Sequence, residues 1–221
     1  LQRRRDVGRD SRVGPRKRPT QRRSRETVDA ILDGAAQVFE RSGYAAGTTN
    51  RIAERAGVSV GSVYEYFPNK DAIVVALAER ELDKEREALL AILARPPAGE
   101  SLAKLLGRFV LAVVELHAAR PNLHRILFEE ADHPPRVHAC VLRFEEALAH
   151  ALESSLRARG AGGADPDTCA HLIVQTTEAL AHRFVLRGIH DLDREAFIEQ
   201  TTRLLAGYAG SRPIAMRRRS R

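Results

Sequence analysis

The chain has no tryptophan, one methionine and two cysteines, and aromatic residues make up only 5% of its 221 positions. So small an aromatic share argues against an aromatic-rich β-sandwich. Cys140 and Cys169 lie far apart with no Cys-x-x-Cys partner, so neither a disulfide framework nor a zinc ribbon is expected. Long apolar runs are missing too: a stretch such as Phe109 to Val114 stops far short of the ~20 residues a membrane helix needs. The basic N-terminal residues lead into no apolar segment, so no secretory signal is expected, and a reducing cytoplasm is the expected setting. Lysine is scarce, four residues against 32 arginines, a bias that a G+C-rich genome would produce.

What the chain does have is positive charge at both ends. Residues 1–25 hold eleven basic and two acidic groups, and residues 212–221 hold five arginines and no acid. The net charge of +7 therefore hides an acidic body of net −7 between two arginine-rich tails. A uniformly basic protein is excluded. Residues 1–25 carry Gly8, Gly14, Pro15 and Pro19 and no apolar periodicity, which predicts a disordered arm with order beginning near Arg25. Two readings are open for it: an arm that follows phosphates or enters a minor groove, or a flexible extension without a role. The C-terminal Arg217, Arg218 and Arg219 read as a solvated fringe.

From Arg25 onward the periodicity is helical throughout. Val28, Ile31, Leu32, Ala35, Val38 and Phe39 form one apolar face, closed by Gly43. Thr48 or Thr49 caps a short helix ending at Gly57, and Ser59 caps a shorter one with Val63, Tyr64 and Phe67 inward, stopped by Pro68. A long charged helix from about Asn69 past Leu90 joins this unit to further helices over roughly 102–118, 123–131, 134–158, 167–186 and 194–208. No alternating strand pattern and no internal repeat is present. The fold class is all-α.

The informative stretch is Thr48 to Lys70, two short helices joined by Gly57-Val58-Ser59, the sequence form of a helix-turn-helix. The second helix offers small residues, Val60, Gly61 and Ser62, that let base edges approach closely. Tyr64 and Tyr66 can give a hydroxyl to phosphate and an apolar edge to a thymine methyl, and Lys70 suits a phosphate. Tyr64 also admits a second reading as a half-buried core residue. Residues 26–72 carry four basic and seven acidic groups, weak electrostatics for a DNA surface. Helix N-termini or the arm must then supply part of the attraction.

These residues resemble the TetR family of bacterial transcription regulators. The likeness is carried by Ala35-Ala36, Phe39, Gly43-Tyr44, Thr48-Thr49, Ile52-Ala53, Ala56-Gly57-Val58-Ser59, Gly61-Ser62-Val63-Tyr64, Tyr66-Phe67 and Asn69-Lys70. Where many members have a hydroxyl residue this chain has Gly47, so capping passes to Thr48. The resemblance implies an N-terminal three-helix DNA-binding unit over 26–72 and a larger helical effector-binding and dimerisation domain over 73–210, with a basic tail over 211–221. It implies DNA contacts from Thr48, Thr49, Asn50, Ser59, Val60, Gly61, Ser62, Tyr64, Tyr66 and Lys70. The implied partners are double-stranded operator DNA, a second copy of the chain and a small-molecule effector, with no cofactor, metal or membrane. The expected activity is transcription regulation, a repressor released from its operator by the effector.

No ligand motif marks the effector half. Phe109, His117, His124, Phe128, Phe144, His171 and Gln175 are candidate pocket groups because they interrupt apolar helices with polar or aromatic chemistry. Each also has a reading as a core or dimer-interface residue. His171, Gln175, Glu178 and His182 share one helix face, as a metal site, a polar dimer seam or a solvated face. Two other function classes make different demands on the sequence. A helical metal enzyme would need paired Glu-x-x-His or His-Glu-x-x-His runs, which do not occur, and no Gly-x-Ser-x-Gly or P-loop is present. The alternative function is a DNA-localised interaction protein that binds a protein partner through its helical body.

Overall fold

The computed structural model describes residues 22–130, 135–189 and 192–211, and the arm over 1–21 and the arginines after Ser211 lie outside them. The described residues form nine α-helices, one π-helical turn and no strand. The chain divides into two compact units. The first runs to Lys84 and resumes over Arg120–Val141; the second comprises Glu85–Ala119 and the chain from Leu142.

In the first unit α1 (Arg22–Ala46) buries Ile31, Leu32, Ala35, Ala36, Val38 and Phe39, the face its apolar spacing predicts. It starts at Arg22, three residues before the predicted onset. Its first turn holds no apolar side chain and is secured by polar contacts, Arg22 with Glu26 at 2.9 Å and the Thr27 hydroxyl donating to the Arg23 carbonyl at 3.0 Å. Periodicity cannot detect such a turn. Gly43, at φ +74°, breaks the helical path near its end.

Helix α2 (Thr49–Ala56) is capped by Thr48, whose hydroxyl accepts from the Arg51 amide, and ends on left-handed Gly57. Helix α3 (Val60–Tyr66) is capped by Ser59, which accepts from the Ser62 amide at 3.0 Å. Helix α4 (Lys70–Ala94) starts with the Asn69 side chain accepting from the Ala72 amide at 2.8 Å. A Cβ on Gly34 would lie 3.0 Å from the Ala56 nitrogen and 3.1 Å from the Ile52 carbonyl, so α1 and α2 cross at backbone contact.

The core of this unit joins Ile31, Phe39, Ile52, Val63, Phe67, Ile73 and Leu77 with Leu123, Ile126, Leu127 and Val137 from later in the chain. Those later residues come from α6 (Pro121–Arg125), the π turn (Ile126–Glu130) and the start of α7 (Pro135–Ala158). The single helix predicted over 123–131 is thus a short α-helix that widens into the π turn. The Glu40 carboxylate on α1 accepts from the Leu123 amide at 2.7 Å and so takes the place of a side-chain cap on α6. Glu79 on α4 pairs with Arg136 on α7 at 2.6 Å.

In the second unit α5 (Leu102–Ala119) packs against α8 (Pro166–Arg187) and α9 (Arg194–Gly210). Leu105, Phe109 and Val113 of α5, Ile173 and Val174 of α8 and Phe197 and Leu205 of α9 are buried, and Phe184 stacks on Phe197 at 4.1 Å. The Ser155 hydroxyl of α7 donates to the Leu93 carbonyl of α4 at 3.1 Å. Both cysteines are buried, and neither forms a disulfide. Among the described residues no helix is long and apolar enough to cross a membrane.

Candidate nucleic-acid interface

The α2–α3 pair leaves one side of the first unit polar. Thr48, Asn50, Ser59, Val60, Gly61 and Tyr64 are exposed on it, and Thr49 and Ser62 are partly so. Tyr64, 44% exposed, is tied across the pair by a 3.1 Å hydrogen bond between its hydroxyl and that of Thr49. Tyr64 is not part of the core that holds Val63 and Phe67, so its reading as a core residue does not hold. The Ser59 and Ser62 hydroxyls meet at 2.8 Å, which orders the N-terminal turn of α3.

Gly61 is the sharpest feature. A Cβ placed there would meet nothing but the Ser59 hydroxyl, at an ordinary 3.7 Å, and its backbone is helical. Glycine inside an exposed helix costs about 1 kcal/mol relative to alanine. Among the described residues, nothing within the unit requires this one. Gly47 is the opposite case: a Cβ there would stand 2.5 Å from the Phe39 ring, so packing alone accounts for it.

Two candidates sit differently from the expectation. Tyr66 is only 8% exposed and belongs to the core, because the α3 face that carries Val63 and Phe67 also turns its ring inward. Its ring is a packing element, not a DNA-facing edge. Lys70 is half-buried; its ammonium donates to the Tyr44 carbonyl at 2.7 Å and lies 3.7 Å from the centre of the Tyr44 ring. The Tyr44 hydroxyl in turn donates to Asp71. Burial raises the Tyr44 pKa, with the Asp71 hydrogen bond and charge acting in the same direction. Burial lowers that of Lys70 while the Asp71 charge opposes the fall. In the sequence Tyr44 stands out only as part of the family motif, and the adjacency of Lys70 and Asp71 is the signal that points to this cluster.

Arg51 and Arg55 of α2 are tied back onto the unit, Arg51 to the Ala46 carbonyl at 3.1 Å and Arg55 Nε to the Gln37 side-chain oxygen at 2.6 Å. The observed start of α1 adds Arg22, Arg23 and Arg25 to the folded unit, which offsets the net −3 read over 26–72.

The effector-half candidates divide between the units. His124 and Phe128 belong to the first, with their rings 4.8 Å apart. Phe109, His117 and Phe144 are buried in the second. His171 contacts Asp167 of its own helix, and exposed Gln175 donates to Glu145 at 3.4 Å. Glu178 instead reaches His117 on α5 at 3.3 Å, and His182 meets that imidazole edge-on at 6.2 Å. The shared α8 face therefore splits into a surface half and a buried polar contact. Among the described residues no group of three or more His, Cys, Asp or Glu is placed to hold a metal ion.

Two family models match the chain. The one for "Bacterial regulatory proteins, tetR family" covers residues 31–77, and "Tetracyclin repressor-like, C-terminal domain" covers residues 101–208. The transcriptional repressor KstR of Mycolicibacterium smegmatis is 38% identical over 60 residues, 27% of this chain, which spans only 29% of that repressor. The transcriptional regulator TcmR of Streptomyces glaucescens is 29% identical over 183 residues, 78% of this chain and 79% of that one. A TetR-family transcriptional regulator from Mesorhizobium loti superposes with a TM-score of 0.71 over 86% of this chain and 100% of its own. At 16% identity that likeness shows the fold alone. The matched models together take in the α2–α3 pair and the helices of the second unit, and the chain belongs to the TetR family of bacterial regulatory proteins.

Proposed function

We propose that the protein is a homodimeric, sequence-specific DNA-binding regulator of transcription in the cytoplasm, a repressor that leaves its operator when a small-molecule effector occupies its helical body. The observation that carries this reading is the exposed α3 surface of Val60, Gly61 and Ser62, bordered by the Thr49–Tyr64 pair, where an unhindered glycine has no structural reason to be. In this reading residues 26–72 read DNA and residues 73–210 dimerise and hold the effector. Thr48, Thr49, Asn50, Ser59, Val60, Gly61, Ser62, Tyr64 and Lys70 make the contacts. That KstR is named a repressor supports the direction of regulation.

The dimer would form through α8 and α9, where Leu172, Leu204 and Tyr208 are 45%, 59% and 41% exposed. Such large apolar side chains on two adjacent helices favour a partner surface over solvent. Dimerisation sets two α3 helices against successive major grooves, ~34 Å apart. An effector that binds better to a conformer with another spacing lowers operator affinity by population shift. Binding-site selection on random duplexes tests the proposal. Enrichment of a two-fold symmetric site is the expected result, and no enriched sequence at physiological salt would defeat it.

A further inference from the structure

We infer that Tyr44 is a positioning residue for DNA binding: its ring and its carbonyl hold the Lys70 ammonium in place for a backbone phosphate before DNA arrives. This rests on the DNA-binding reading above. A lysine side chain gives up much of its rotamer freedom when its head is fixed on a phosphate. Here that freedom is already spent in the folded unit. The ammonium sits 3.7 Å from the Tyr44 ring centre, well inside the ~6 Å range of a cation–π contact, and donates at 2.7 Å to the same residue's carbonyl. An ammonium has three N–H donors, so the described bond leaves two for a phosphate oxygen pair.

Tyr44 is itself anchored at both ends. Its hydroxyl donates to Asp71, the residue after Lys70, and its ring lies 6.1 Å from that of core residue Phe39. The Asp71 charge also favours the charged form of the lysine against the effect of burial. The arrangement therefore ties the last turn of α1, beyond the Gly43 break, to the first turn of α4, with the half-buried lysine held between them.

The test is a double-mutant cycle on the full-length chain, using a duplex enriched by selection and a random-sequence duplex of equal length. Lys70→Ala should lower affinity for both duplexes and reduce the slope of log affinity against log salt by about 0.9, one phosphate contact. Tyr44→Leu should lower affinity about fivefold, as loss of an ordered cation–π contact would. In the Lys70→Ala background it should have almost no further effect. Tyr44→Phe keeps the ring and the carbonyl, and should retain most of the affinity that Tyr44→Leu loses. Thermal melting of each variant reports folding separately.

An equal loss from Tyr44→Leu with and without Lys70 would overturn the inference, because Tyr44 would then act through the fold in general. If Tyr44→Leu does not fold, Tyr44→Met takes its place in the same cycle: a loss confined to the Lys70 background supports the ring's role, and equal losses in both backgrounds overturn it. A wild-type chain that enriches no duplex overturns the DNA-binding reading itself and this role with it.

Discussion

At the scale of single residues, the α2–α3 surface separates side chains kept for packing from those that packing does not explain. Gly34 and Gly47 are glycines because a Cβ would strike a helix backbone or the Phe39 ring. Gly61 has no such neighbour, and its replacement supplies a clean test. Gly61→Ala should raise folding stability by up to about 1 kcal/mol, read from urea unfolding, because alanine favours the helix it joins. The same substitution should weaken operator binding tenfold or more if base edges approach the α3 backbone at this point. Stability and affinity moving in opposite directions is an outcome that a purely structural glycine does not give, and equal affinity would remove Gly61 from the interface. Sequence alone singles out Gly61, a small residue on the predicted second helix, but it leaves Tyr64 between an inward place beside Val63 and a DNA contact. It could not separate Tyr66 from Tyr64: two residues apart on a seven-residue helix, they fall on opposite sides of the boundary between core and solvent, and a turn's rotational error exchanges them.

At the scale of elements, most of the helix order was legible because caps and apolar faces agree. Thr48 and Ser59 cap the helices that they were expected to cap, and Gly57 is left-handed between them. Two features escaped for physical reasons. The first turn of α1 is held by polar side-chain contacts, which leave no hydrophobic period. The break of residues 121–130 into α6 and a π turn depends on Leu123, Ile126 and Leu127 reaching a core supplied by helices some fifty or more residues away, and on a cap that Glu40 provides from α1. Neither partner is local, so no window along the chain contains the signal. The α1–α2 crossing is the element-scale feature most open to test. With a Cβ at Gly34 already 3.0–3.1 Å from Ala56 and Ile52, a valine there overfills the crossing and should cost about 1–3 kcal/mol. Chemical unfolding of Gly34→Val measures it. Unchanged stability would mean that α2 can shift away from α1 without loss, contrary to the backbone contact seen here.

At the scale of the whole molecule, charge and exposed apolar surface each point to a partner. Leu204 and Tyr208 lie one turn apart on α9, and Leu204→Asp should place a carboxylate in the proposed dimer seam. Sedimentation should then find monomers, with operator affinity lost because two linked recognition helices become two independent ones; a stable dimer would move the seam elsewhere. The arginine arm raises the remaining question of where salt-dependent affinity comes from. The folded DNA-reading unit gains Arg22, Arg23 and Arg25 as the first turn of α1, so those three charges are fixed on a helix and do not belong to the arm proper. Counted from Arg22 to residue 72, basic and acidic groups balance at seven each, and the excess positive charge of the N-terminal third of the sequence lies in residues 1–21. A deletion that tests the arm must therefore stop at residue 21, since one that ran on would also remove the helical turn and confuse folding with binding. Each phosphate that the arm neutralises contributes ~0.9 to the slope of log affinity against log salt. If the arm follows the backbone through three contacts, deleting residues 1–21 should lower the slope by about 3 and weaken binding most at low salt, while leaving the preference among operator variants unchanged. A slope that stays the same would make the arm a bystander, and the attraction would have to come from helix N-termini and the few cations of the folded surface, Lys70 first among them.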